Sequence, residues 1–240
     1  WPVNPKHHTV AGLRAFASLS DLPQVPDLVV LATPGPTIPG LVEEAALKGV
    51  PAAVVISALE RESSQRAAGR LDAAVRARGI RLVGPKVDAS FSSRSARPGH
   101  LAFVSQSGAI AAALLEWADQ RRIGFSGVVT LGDQLDVDLG DSLDYFAGDY
   151  RTRAILIYVE AVTDVRKFMA SARAAARSKP VVVLKSGRSQ EAAKAARSHT
   201  GALAGADEVY DAAFARTCLV RVYDLDELIA AAETLSRYPG

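Results

Sequence analysis

The sequence holds a single cysteine, Cys218, which excludes an internal disulfide and a cysteine-cluster metal site and suits a reducing cytoplasmic setting. It has no uninterrupted apolar run of the ~18 residues that a bilayer span needs, so no membrane association is expected. Neither charge is in excess. Lys plus Arg number 28 and Asp plus Glu 26, and the net +2 is spread with interspersed signs, unlike the concentrated field of a nucleic-acid binder. Walker and GxGxxG phosphate loops are missing, as are HExxH zinc and GxSxG nucleophile arrangements, and no metal ligand set is expected. An initiator Met and a basic-then-apolar leader are also missing ahead of Trp1, which reads as a mature or excised piece. What remains is 240 residues at 49% hydrophobic and 22% charged, enough to bury a core in one large or two smaller α/β domains.

Short aliphatic runs alternate with alanine-rich amphipathic stretches, the rhythm of parallel strands joined by crossover helices. Strands are predicted over 27–32, 52–57, 80–83, 101–105, 127–131, 154–160, 181–185 and 219–222. Helices are predicted over 38–48, 62–78, 109–122, 139–147, 164–177, 206–216 and 225–237. Most strands are nearly continuous Val, Ile and Leu, which suits a sheet covered on both faces, so the predicted class is doubly wound α/β. From Lys86 to Gly99 the rhythm lapses into Ser, Arg, Pro and Gly, which predicts two domains, 1–90 and 91–240. The second carries a full strand–helix series. The first opens on WPVNPKHH in the manner of a strand end, without the βα unit that usually begins such a sheet.

Chemistry-bearing residues gather where strands end. In LAFVSQSG, Leu101 to Gly108, a hydrophobic strand runs through a small-residue turn directly into a helix, so unpaired backbone N–H groups and the positive end of the helix dipole face whatever lies beyond. This is an anion site to which Ser105 and Ser107 can add hydroxyl donors; with equal weight, Ser107 is simply the N-cap of the helix. The basic turn Lys185-Ser-Gly-Arg-Ser189 precedes Ser198-His-Thr-Gly201, whose His199 lies in a loop between α/β elements, where an imidazole is reachable and reactive. A plain surface histidine is the commoner role of such a residue, and His7, His8 and His100 carry none. Glu160 closes the run AILIYVE at the carboxyl edge of a strand, where open α/β sheets bind ligands, and a carboxylate there can orient an imidazole. The alternative is a charge that marks where the strand meets solvent. Gly132 and Asp133 hold the matching end of a neighbouring strand, as a turn glycine with a capping aspartate. Thr33 to Gly40, TPGPTIPG, is a loop stiffened by three prolines along which a nucleotide can lie.

Taken together, SQSGA, VEAV and KSGRS followed by AARSHTGALAGADEVYDAAF resemble the NDP-forming acyl-CoA synthetases, the family of ADP-forming acetyl-CoA synthetase and the α subunit of succinyl-CoA synthetase. The likeness spans nearly the whole chain and is most specific over 98–117 and 180–214. It implies a Rossmann-like CoA-binding domain, incomplete at its N-terminus, followed by a flavodoxin-like domain. It further implies that His199 is transiently phosphorylated and that Glu160 positions its ring. Ser105, Gln106, Ser107 and Gly108 match the helix start that holds phosphate; Asn4, Pro5 and Lys6 match a segment near CoA, and Thr33 and Pro34 the loop beside its adenosine. The family's reaction converts acyl-CoA and phosphate to acyl phosphate and CoA, then passes the phosphoryl group to histidine and on to ADP. The cofactors implied are therefore CoA or acyl-CoA, with ADP or ATP and Mg2+ entering only through an ATP-grasp domain that this sequence lacks. The partners implied are that ATP-grasp domain or subunit and the acyl-CoA substrate, within a cytoplasmic oligomer, with no nucleic acid and no membrane.

The sequence departs from the family at three places. The glycine-rich first loop would lie upstream of Trp1. After Gly84-Pro85 the family continues as GPN and a small-residue loop, whereas this chain runs Lys86-Val-Asp-Ala-Ser-Phe. After Ala58 a glycine-containing loop is usual, whereas this chain passes to Leu59-Glu60. Residues are expected to be absent at the last two. Two functions are compatible with the motifs: part of an acyl-CoA synthetase, or an acyl-CoA-sensing module of a multidomain protein lysine acetyltransferase. Retention of His199 and Glu160 favours the first, since a sensor has no need of a phosphorylatable imidazole. A plain interaction domain would not require SQSG, Glu160 and SHTG together.

Overall fold

The computed structural model describes residues 1–59, 64–88, 96–187 and 207–238, with side chains left out for 64–68. His199 and the rest of 188–206 lie outside the described residues. The chain divides into two compact units, one of Trp1–Val87 with Gln134–Asp136 and one of Asp88–Asp133 with Val137–Gly240.

The first unit begins with a small antiparallel hairpin, β1 (Thr9–Val10) and β2 (Leu13–Arg14), that sequence reading did not anticipate. Its turn residues Ala11 and Gly12 both have positive φ, 49° and 77°, the handedness that matches strand twist in a two-residue turn. Three parallel strands follow, β3 (Val29–Leu31), β4 (Ala52–Val55) and β5 (Arg81–Val83), in that spatial order. Helix α1 (Ile38–Lys48) crosses from β3 to β4, and α2 (Ser64–Arg78) from β4 to β5. Proline in the first turn starts α1, where a missing N–H costs nothing, and Gly49 at φ 88° ends it in the left-handed conformation. Its residues Ile38, Val42, Ala45 and Ala46 recur on one face and pack on Leu71, Ile80 and Leu82. Asp136 returns to this unit, where its carboxylate accepts the Leu82 N–H at 2.8 Å and Arg81 Nε at 2.9 Å. One backbone N–H of edge strand β5 is thereby partnered.

The second unit carries a five-stranded parallel sheet of β6 (Arg97–Ser105), β7 (Gly124–Thr130), β8 (Ala154–Val159), β9 (Val181–Lys185) and β10 (Val220–Val222). The spatial order is β7-β6-β8-β9-β10, that is 2-1-3-4-5 within the unit. Helices α3 (Gly108–Arg121) and α7 (Leu225–Arg237) cover one face, packing Leu114, Leu115 and Leu228 against Phe103, Leu156 and Val182. Helices α4 (Leu139–Gly148), α5 (Val165–Ser178) and α6 (Asp207–Arg216) cover the other, packing Phe146, Phe168 and Phe214 against Val104, Ile157 and Val183. The continuous aliphatic runs are thus buried on both sides, as a doubly wound parallel sheet requires.

Strand β6 starts at Arg97, not at Leu101 as periodicity predicts, because two glycines allow its early residues to approach β7. A Cβ on Gly99 would lie 2.2 Å from the carbonyl carbon of Gly124, and one on Gly124 would lie 2.2 Å from the Pro98 oxygen. Only residues without a Cβ fit there, and the register shifts between Pro98 and Ala102. Helix α4 is capped by Asp138 and not by Asp133: Asp138 and Asp141 form a reciprocal capping box. Among the described residues no helix is long and apolar enough to cross a membrane.

Candidate functional site

The chain steps one way from β6 to β7 and the other way from β6 to β8, so the sheet's topological switch lies between β6 and β8. The crevice outside the carboxyl ends of these two strands is where open α/β sheets bind ligands. Ser105 and Tyr158 are register partners at those ends, and SQSG and Glu160 follow them directly.

The turn after β6 is organised by its own serines. The buried Ser105 hydroxyl donates to the Ser107 carbonyl at 2.7 Å and accepts the Ser107 N–H at 3.1 Å. It therefore shapes the turn, and its proton is directed away from any ligand. Ser107, extended at φ −110° and ψ 119°, is the N-cap of α3, its Oγ accepting the Ile110 N–H at 3.4 Å. The Gly108 and Ala109 N–H groups stand in the first turn, where no intrahelical acceptor exists. The capping reading of Ser107 is thus met, and the turn leaves room beside it for the anion-binding one. Gly108 carries further information, because a Cβ there would lie 2.1 Å from Asp88 Oδ2 and 2.2 Å from Asp88 Cβ. A carboxylate already leans on this helix start, as the local dipole favours.

Gln106 spans the switch point. Its Oε1 accepts the N–H groups of Glu160 and Ala161, the latter at 3.0 Å, and its Nε2 donates to the Ala161 carbonyl at 2.6 Å. Its backbone N–H meets the Tyr158 carbonyl at 3.2 Å. The side chain that sequence comparison assigns to phosphate is thus a brace that fixes the half-buried Glu160 relative to the α3 start. Nothing local in the sequence signals this, since the partners lie 54 and 55 positions away.

Lys185 is a functional candidate that sequence reading treated only as a strand end. It is 3% exposed, its ammonium donates to the Ser186 carbonyl, and it lies 4.8 Å from the Tyr210 ring centroid. Burial pushes its pKa down, the Asp207 charge opposes that, Arg221 adds to it, and Glu160 opposes it. Burial likewise raises the pKa of Tyr158, with a hydrogen bond to Ser186 opposing and the Glu160 charge adding. Glu160, Tyr158, Lys185 and Ser186 are therefore electrostatic neighbours along the carboxyl edge. A lysine closing an otherwise continuous apolar strand is the signal that could have marked it.

The remaining candidates lie in the first unit. Asn4 donates its N–H to the Phe16 carbonyl at 2.8 Å and accepts the Lys6 N–H on its side chain at 2.9 Å, which leaves Pro5 and Lys6 on an exposed turn. Thr33 and Pro34 leave the carboxyl end of β3: the Thr33 and Thr37 hydroxyls are 2.8 Å apart, and Thr37 Oγ1 donates to the Pro34 carbonyl at 2.7 Å. A Cβ on the next residue, Gly35, would lie 2.6 Å from the Ala58 carbonyl oxygen, so that loop closes tightly on the end of β4. The described hydrogen bonds do not join the Asn4–Lys6 turn to the Thr33 loop. Among the described residues no group of three or more His, Cys, Asp or Glu could hold a metal ion.

A 2-1-3-4-5 parallel sheet with a helix start and a braced carboxylate at its switch point defines a flavodoxin-like domain. Residues 98–235 match the profile of the succinyl-CoA ligase like flavodoxin domain, and residues 1–87 that of a CoA binding domain. The chain belongs to the succinyl-CoA ligase like flavodoxin domain family and carries a CoA binding domain ahead of it.

It is 41% identical over 251 residues to the ADP-forming acetate–CoA ligase I of Archaeoglobus fulgidus, covering 99% of this chain and 37% of that protein. To the α subunit of the ADP-forming acetate–CoA ligase I of Pyrococcus furiosus it is 38% identical over 256 residues, covering 100% of this chain and 55% of the subunit. The structure of the dinucleotide-forming acetyl-coenzyme A synthetase 1 of Ca. Korarchaeum cryptofilum, solved with phosphate and ADP, superposes with a TM-score of 0.90. Identity there is 31%, and the match covers 99% of this chain and 54% of that one. The chain thus spans from about a third to about half of these relatives. The aligned lengths of 251 and 256 exceed the 240 residues present, so both alignments carry gaps within this chain. The lysine acetyltransferase reading gains no support from these matches.

Proposed function

We propose that this chain is the CoA-binding and phosphohistidine-bearing part of an ADP-forming acyl-CoA synthetase, its first domain (1–90) serving CoA and its second (91–240) the phosphoryl group. A phosphate oxygen attacks the thioester carbonyl and CoA leaves as the thiol; the acyl phosphate then yields its phosphoryl group to a ring nitrogen of His199, releasing the carboxylic acid. Transfer from phosphohistidine to ADP completes the reaction on an ATP-grasp domain or subunit, which would hold the nucleotide with Mg2+. A cytoplasmic oligomer containing both parts is the working unit.

The support for this reading is physical. Phosphoryl transfer asks a protein for positioning and charge stabilisation more than for covalent machinery. The Gly108 and Ala109 N–H groups supply the donors, and Glu160 accepts one imidazole N–H of His199 so that the other nitrogen carries the nucleophilic lone pair. In the CoA-binding domain the exposed Lys6 ammonium suits the phosphates of CoA, and the proline-stiffened Thr33-Pro34 loop, at the carboxyl end of β3, suits its adenosine. The observation that carries the proposal is the Gln106 brace, which ties Glu160 to the phosphate-accepting helix start across the switch point.

The test is incubation with acetyl-CoA and radiolabelled phosphate. An acid-labile, base-stable label is expected on the protein; it should disappear in His199→Ala and fall at least tenfold in Glu160→Gln. A label of that kind that persists in His199→Ala would overturn the assignment.

A further inference from the structure

The segment that follows β8 is gripped from a second side. The successive N–H groups of Glu160, Ala161 and Val162 lie past the end of the strand and are taken by side-chain oxygens. Gln106 Oε1 accepts the first two, and Tyr210 Oη accepts the third at 3.3 Å. Gln106 belongs to the turn that starts α3 and Tyr210 to α6, and those helices cover opposite faces of the sheet. Two grips therefore converge on one short piece of chain from opposite sides of the carboxyl edge.

Tyr210 is itself fixed. Its ring centroid is 5.7 Å from that of the buried Phe214, one turn further along α6, and 4.8 Å from the Lys185 ammonium. The helix beneath it is tied to edge strand β10 by Arg221, whose side chain is 6% exposed. That guanidinium donates to Asp207 Oδ1 at 2.5 Å and to Asp211 Oδ1, four residues apart on one face of α6. The Tyr210 hydroxyl thus stands on a ring and a helix that are both held, and it can hold a neighbouring N–H in turn.

We propose that Tyr210 is a positioning residue for phosphoryl transfer to His199, clamping the Glu160–Val162 segment together with Gln106 and so fixing the Glu160 carboxylate. The transfer step rests on the synthetase reading; the clamp does not. Peptide units are rigid planes, and the two that flank the Glu160 Cα set the direction of its side chain. Gln106 holds both of these planes through the Glu160 and Ala161 N–H groups, and Tyr210 holds the next one, which keeps the chain from pivoting about Ala161. Tyr210 acts through Glu160 and contributes less than Gln106, because it holds one plane and not two.

The test is Tyr210→Phe, which keeps the ring against Phe214 and Lys185 and removes only the hydroxyl. Amide hydrogen exchange at Val162 should quicken about tenfold or more, while that of Ile157 within β8 stays unchanged. Labelling from acetyl-CoA and phosphate should fall about three- to tenfold in maximal rate at an unchanged KM for phosphate, since the α3 start is untouched. In a Glu160→Ala background the same substitution should slow labelling no further, because a residue that acts through Glu160 is silent once that carboxylate is gone. Parent-rate exchange at Val162, or an equal fall in both backgrounds, would sink the proposal. Should Glu160→Ala leave too little label to compare, the kinetic split decides: a raised KM at an unchanged maximal rate removes the role. A parent protein that takes no label while Val162 exchange responds as expected would remove the synthetase reading and leave the clamp; the converse would remove the clamp alone.

Discussion

Replacing Gln106 by leucine keeps the approximate volume of the side chain and removes its three hydrogen bonds to the segment after β8, two accepted from the N–H groups of Glu160 and Ala161 and one donated to the Ala161 carbonyl. Each such bond contributes about 0.5–1.5 kcal/mol net, and more where the abandoned partner stays buried. The site is half-buried, so water can reach some of the orphaned groups, and the expected loss is about 2–4 kcal/mol. For a domain of this size that is roughly 5–15 °C in melting temperature. Trp117 on α3 lies in the same unit and reports its urea transition, while Trp1 belongs to the other unit. The midpoint should fall without a change in m-value, because the unfolded chain exposes nearly the same surface. Histidine labelling should fall further than stability explains, even at temperatures where the variant is fully folded, since Glu160 is no longer fixed against the helix start. A midpoint shift below about 0.5 kcal/mol together with wild-type labelling would refute the brace.

Two further outcomes follow from the packing. Gly108→Ala places a methyl group about 2 Å from Asp88 atoms and should cost about 1–3 kcal/mol by overpacking; because Asp88 Cβ is itself 2.2 Å away, Asp88→Gly should restore most of the loss and Asp88→Ala should not, and a melt of the two double variants that ranks them otherwise contradicts the geometry. Burial lowers the Lys167 pKa, but hydrogen bonds and charge from Asp141 and Asp138 outweigh it, so the net shift is upward. A raised folded pKa means that the contribution of Lys167 is complete below the ordinary lysine range and is lost as pH rises through the folded value. The stability difference between the parent protein and Lys167→Met should therefore stay flat from about pH 6 to 9 and shrink only above about pH 10.5; a difference that shrinks on going from neutral to mildly alkaline pH would contradict this.

The order of strands and helices was legible because it is written locally. Aliphatic runs and helical spacing mark α1 at 38–48 and α7 at 225–237 with the bounds the structure has, and the small-residue turn between strand and helix marks the Ser107 cap. The β1–β2 hairpin was not legible. Its strands have two residues each, all exposed, and its Ala-Gly turn lacks the Asn-Gly or Asp-Gly signature of a tight hairpin. The early start of β6 was hidden for a different reason, since Gly99 and Gly124 read separately as breakers and only together as a close backbone crossing.

For the site, the residues were nameable from the sequence while several of their roles were not. Ser107, Gly108 and Glu160 stand where strand-end logic puts them, because helix caps and carboxyl edges are features of chain direction. The Gln106 brace, the closure of Asp88 on Gly108 and the burial of Lys185 depend instead on which strands are neighbours. A run of apolar strands carries the same local pattern in any parallel order, and only the packed sheet, by setting β8 beside β6 and β9 beside β8, brings together groups that are far apart along the chain. What the sequence by itself determined was the set of elements and the chemistry available at their ends; the strand order, decided by tertiary packing of the whole sheet, selected which of those ends meet.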